Sequence, residues 1–132
     1  MSDKKYLAKI IAVDNEGLQM ISACCAGATT NVANIKYLKE NKVFLLSIER
    51  NKVEAGEESK KVNSICKFDF VSSVKSKNID QKNPELPLEL IAIDYLKNNE
   101  EYEIDLIFKN NAHISLSAET IEVRLEDQNE IK

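Results

Sequence analysis

From Val32 onward, apolar residues recur at every second position over most of the chain, a period that only a β-strand turns to a single face. Phe44, Leu46 and Ile48 alternate with polar or smaller neighbours. Val62, Ser64, Cys66, Phe68 and Phe70 fall on one face, with Asn63, Lys67 and Asp69 on the other. Tyr102, Ile104, Leu106 and Phe108 interleave with Glu103 and Asp105, and Ile114, Leu116 and Ala118 repeat the pattern. Each run predicts a strand with one face in a core and one in water.

The breaks between these runs predict how the strands connect. Lys39-Glu-Asn-Lys42 reads as the turn of a hairpin between a strand holding Ile35, Tyr37 and Leu38 and the strand of Phe44. Asn110-Asn-Ala112 closes another hairpin, because Asn tolerates the left-handed backbone that tight turns need. Val53 to Lys61 has few apolar residues and one glycine, and reads as an exposed, mobile loop. Lys77 to Pro87 carries both prolines and is expected to be a long connection, one that could sit near a binding surface. Leu88 to Leu96 is apolar at nearly every position. The apolar phase is even through Ala118 but odd for Ile121, Val123 and Leu125, so a bulge or corner is expected at Glu119-Thr120. Beyond Glu126 the chain is expected to fray.

The N-terminal part differs. Tyr6 to Val13 is rich in strand formers, and Asp14 or Asn15 can cap a helix whose Leu18, Ile21, Cys25 and Ala28 recur at three- and four-residue spacing. The expected fold is therefore α+β: an N-terminal strand and one amphipathic helix, about residues 15–28, packed on a mostly antiparallel sheet or partly closed barrel of about seven strands. Seven strands and one helix also match the inventory of pleckstrin-homology-like barrels, which place their helix at the C-terminal end. With 132 residues, 43% hydrophobic and 30% charged, residues 1–132 are expected to form a single domain.

Charge and composition narrow the function classes. The net charge is −4, from 18 basic and 22 acidic residues, and the densest basic spots, Lys60-Lys61 and Lys75-Ser-Lys77, are short and flanked by acids. Neither nucleic acid nor an anionic membrane is an expected partner. The apolar stretch Tyr6 to Val13 is too short for a signal peptide or a membrane span, which points to the cytoplasm. Cys24, Cys25 and Cys66 show no CxxC spacing and the chain has one histidine, His113, so no metal or cofactor is expected and the thiols read as small buried hydrophobes. His113 beside the Asn110-Asn111 turn reads as a surface residue, and Gly17 and Gly27 form no phosphate-binding loop. No catalytic residue is visible. Asp94 lies in an apolar run and must face solvent or find a partner, in which case it becomes a perturbed acid. Arg50 and Arg124, the two arginines, pair with carboxylates across the sheet or hold an anionic ligand. These three are the candidate ligand-binding residues.

Four stretches carry a family resemblance: Ile11 to Ala23, Lys67 to Asp80, Leu88 to Ile93 and Ile114 to Leu125. In this order they resemble a family of small alphaproteobacterial proteins of unknown function, domain of unknown function 2948, over roughly Leu7 to Leu125. The shared motifs are core residues and turns, so the resemblance implies kinship and assigns no chemistry. The expected function is a non-enzymatic binding module that engages a protein or a second copy of itself through an exposed strand edge. The alternative is a small-ligand-binding protein or weakly signalled enzyme that uses a concave sheet face.

Overall fold

Alternation becomes pairing in the structure, a computed structural model that describes residues 8–51 and 61–131. The elements run β1 (Lys9–Ala12), α1 (Asn15–Cys25), β2 (Thr29–Asn31), β3 (Ile35–Leu38), β4 (Val43–Asn51), β5 (Lys61–Phe68), β6 (Val71–Lys77), β7 (Pro87–Asn98), β8 (Glu101–Phe108), β9 (His113–Ala118) and β10 (Val123–Ile131). Short 3-10 turns, Val32–Asn34 and Lys39–Asn41, flank β3.

The ten strands form one sheet in the order β1-β10-β5-β4-β2-β7-β8-β9-β6, with β3 also on β4, and every pairing is antiparallel. The sheet does not close, so the barrel alternative is not realised, and the helix lies near the N-terminus rather than at the C-terminal end. Among the described residues, the strand pairing that joins its two halves runs through β2, which pairs Thr29 with Glu49 of β4 and Thr29, Thr30 and Asn31 with Glu89, Leu88 and Pro87 of β7.

The buried faces of both halves join in one cluster. Phe44, Leu46, Cys66, Phe68, Val123 and Leu125 come from one side, and Leu90, Ile104, Leu106, Phe108 and Leu116 from the other. Phe44 and Phe68 pack edge to face at 5.8 Å. Helix α1 contributes Leu18, Ile21, Cys24 and Cys25 and lies mainly across β7 and β1. Asp14 caps it, accepting a hydrogen bond from the Gly17 amide at 2.8 Å. It ends at Cys25, three residues before the expected 28. Gly27 there adopts φ +85° and its amide donates to the Leu90 carbonyl at 2.7 Å, which ties the helix end to β7. At the other end, a Cβ on Gly17 would lie 3.0 Å from the Ala12 backbone, so only glycine lets the first turn approach β1 so closely.

Several expectations are corrected here. The strand of Cys66 ends at Phe68, because Phe70 takes φ +59° and is exposed as the chain crosses from one half of the sheet to the other. Strand β6 was not legible from alternation, since a register shift between Val71 and Ser73 breaks its period. A similar shift between Leu90 and Ala92 turns Ile91 outward and explains the unbroken apolar run of β7. The chain does not fray after Glu126: β10 continues to Ile131 against β5. The corner expected at Glu119-Thr120 is present, between β9 and β10. The mobile loop expected at Val53 to Lys61 falls outside the described residues except for Lys61, which opens β5. No helix among the described residues is long and apolar enough to cross a membrane.

Replacing Leu106, fully buried on β8, by Ala is expected to cost about 2–5 kcal/mol, read as a lowered urea midpoint with an unchanged far-ultraviolet circular dichroism spectrum.

Candidate functional site

The phase that places Phe44, Leu46 and Ile48 inside also turns Arg50 inside, at the end of β4. A guanidinium is almost never fully buried without a partner. Its partner is Asp127 of β10. Nε and Nη2 of Arg50 donate to Oδ1 at 3.2 and 3.0 Å, and Nη2 donates to Oδ2 at 3.2 Å. Ser64 of β5 donates to Oδ1 at 2.6 Å, and the Ala8 amide donates to Oδ2 at 2.8 Å. Both carboxylate oxygens are thus satisfied from within the protein, and the Arg50 fork is occupied by Asp127. The Asp127 amide donates in turn to the Ala8 carbonyl at 2.9 Å, so one side chain joins β4, β5, β10 and the approach to β1.

Arg124 lies on the opposite, outer face of β10, between Ile11 of β1 and Lys67 of β5 in register. Its Nε is shielded and has no hydrogen-bond partner. A shallow cleft beside it is lined by Leu38, Val43, Leu45 and Ile65. Asp94 is exposed on β7, where it accepts a hydrogen bond from the Tyr95 amide at 2.8 Å and stands opposite Asp105 of β8. Asp105 hydrogen-bonds Glu103 on the same face and holds its carboxyl above the ordinary range, a shift that their mutual repulsion reinforces. Ser115 donates to Asp105 at 2.9 Å. The structure therefore puts Arg50, Asp94 and Arg124 on three different strands and does not bring them together.

The three cysteines are buried. A hydrogen bond that the Cys66 thiol gives to Cys25, and then burial, push that thiol well above its ordinary value, which keeps it protonated. His113 is half-buried at the start of β9, next to Lys77 in register. Among the described residues no three His, Cys, Asp or Glu side chains group as a metal site.

A feature that alternation does not reveal lies between β3 and β6. Among the described residues β3 pairs only with β4 and β6 only with β9, so each leaves one long edge without a strand partner. Between them runs a crevice of about 370 Å³. Ile35 and Tyr37 of β3 and Val74 and Ser76 of β6 form its walls, Ile79 and Gln81 of the Pro-rich connection border it, and the buried Phe44 and Ile114 lie at its base. Its ends are braced. The Tyr37 hydroxyl donates to the Val71 carbonyl at 2.8 Å, and Gln81 Nε2 donates to Ser76 Oγ at 2.7 Å.

The reason for the opening is legible in hindsight. Beyond the β2–β7 pairing, the chain that runs beside the turn before β3 contains Pro84 and ends at Pro87. Proline has no amide to continue a ladder, and one bond, from the Ala33 amide to the Pro84 carbonyl at 2.9 Å, is what crosses there. Asp127 was also findable. It shares the odd phase of Val123 and Leu125, and an inward Arg50 requires an inward acid.

Fold and site together define an α+β protein with an open antiparallel sheet, a saturated buried ion pair and an apolar seam between two strand edges. The family described as "Protein of unknown function (DUF2948)" matches residues 8–132, and the chain belongs to it. No curated protein and no solved structure matches the chain.

Two outcomes are expected from these clusters. Asp127→Ala strands a buried guanidinium and is expected to cost about 3–5 kcal/mol in denaturant unfolding, whereas Arg50→Met combined with Asp127→Leu recovers most of it. Glu103 is protonated more readily in the folded than in the unfolded chain, so its contribution favours folding at low pH and fades as pH rises through the carboxylate range. Asp105→Asn is expected to bring the Glu103 midpoint, followed by carboxyl NMR, down to the ordinary value or lower; an unmoved midpoint would assign the shift elsewhere.

Proposed function

We propose that this protein is a non-enzymatic, cytoplasmic binding module whose β3–β6 seam takes an extended segment of a protein partner as an added strand. The observation that carries this reading is the juxtaposition of two edges that have no strand partner among the described residues, with an apolar crevice between them. An edge supplies backbone donors and acceptors at strand spacing, and the crevice supplies side-chain specificity; together they meet the two requirements of β-strand addition. Prolines close to the seam keep the protein's own chain from completing it. Three free, buried thiols accord with a reducing compartment.

A second reading puts a small apolar ligand in the same space. The base formed by Phe44 and Ile114 and a volume of about 370 Å³ favour it, since ligand pockets begin near 300 Å³.

A photo-crosslinking residue at Ser76, introduced in cells that make the protein, tests the proposal. Crosslinks to one extended segment of one protein, mapped by mass spectrometry and lost in Val74→Arg, are expected. A segment of the protein itself would identify the partner as a second copy. Crosslinking that is indifferent to Val74→Arg, or a co-purifying small molecule released by that substitution, would overturn strand addition.

A further inference from the structure

We infer that the segment received by the seam alternates apolar and acidic residues, an inference that rests on the strand-addition reading above. In an added strand successive side chains point to opposite faces. Those directed inward meet Phe44 and Ile114 at the base of the crevice, with Ile35 and Val74 beside them. Apolar side chains fit there and charged ones do not.

The outward positions are decided by what flanks them. On β3 the exposed outward residues are Lys36 and, at the end of the strand, Leu38; on β6 they are Ser73, Lys75 and Lys77, so every charged residue among them is a lysine. A strand lying between the two would run its outward side chains between cations on both sides, and opposite charges directly across a ladder attract. Lys75 and Lys77 are two positions apart, so each can meet every second residue of the incoming strand.

These three lysines differ from the others on the sheet. Lys9, Lys61, Lys67 and Lys109 lie within 4.0 Å of Glu126, Glu49, Asp69 and Glu89. Lys97 lies over the Tyr102 ring. Among the described residues Lys36, Lys75 and Lys77 have no ion pair. The acids Glu40 and Asp80 occupy the turns after β3 and β6, not the strands, and Asp105 and Glu103 of β8 face Lys75 only across the intervening β9, Asp105 in the same row through Ser115. In a chain of net charge −4, three unpaired cations bordering an apolar slot mark the sign of what lies between them.

The test is a selection from a random twelve-residue peptide library on the intact protein, on the charge-reversed Lys36→Glu/Lys75→Glu/Lys77→Glu protein and on Val74→Arg. All three reversed residues are exposed, so the fold is retained. Enriched peptides are expected to alternate apolar residues with Asp or Glu. They should shift the NMR amide signals of residues 72–77, and bind the charge-reversed protein about ten-fold more weakly. That protein should enrich Lys or Arg at the same positions. Enriched peptides that bind at the seam with neutral or basic outward residues overturn the acidic preference and leave strand addition standing. Absence of any enrichment that Val74→Arg abolishes overturns both.

Discussion

The three residues of β2 are the constraint on which the rest of the architecture depends. Thr29, Thr30 and Asn31 pair with β7, and Thr29 also with β4, so this short segment makes one sheet of two halves. Because the same stretch of chain runs on into β3 along β4, while β7 begins only at Pro87, the sheet is continuous at β2 and split beyond it. The turn that follows the helix reinforces the junction: Gly27 and Ala28, immediately before β2, exchange backbone hydrogen bonds with Leu90. A strand that begins at a proline has no amide there with which to carry its ladder further back, and the edge of β3, left without a strand partner among the described residues, follows from that chemistry rather than from any want of hydrophobic sequence.

The buried Arg50–Asp127 pair acts at the other end of the core. Desolvating two charges is costly, and such a pair is weak evidence for stability in itself. Its consequence is register. Asp127 gathers donors from β4, β5 and the residue before β1, and a one-residue slip of β10 would turn its carboxylate outward and leave Arg50 buried and alone. The register shift between Asp127 and Asn129 comes directly after this point, once the inward position has been satisfied. Charge therefore fixes which residues oppose one another in a region where the apolar rows of β4, β5 and β10 are running out.

Much of the fold was legible. The strands with unbroken alternation, β4, β5, β8 and β9, appear with their inward faces as read, and the Asp14 cap and the Asn110-Asn111 turn do what their chemistry predicts. The elements that were missed share one cause. Strand β6 has Val71 and Val74 on opposite phases because of a bulge, β2 is three residues long, and β10 continues through polar residues after Leu125. Periodicity detects apolar faces, and these strands are held by partners instead. The site was less legible still. Arg50 was readable as a cross-sheet pair, but its burial required Asp127, and the seam required knowing that β3 and β6, far apart in the chain, approach one another.

By itself, then, the order of residues determined that a strand and one capped helix precede a set of antiparallel ribbons, because side-chain period and turn chemistry are local properties of the chain. It also determined that the prolines near Asn83 would interrupt whatever ladder they joined. Only the tertiary structure decided that the sheet stays open, that β3 and β6 line one crevice, and that three lysines lie on those two strands without carboxylate partners among the described residues. Those are relations between strands distant in sequence, set by the curl of the sheet and by burial, and no local pattern records them.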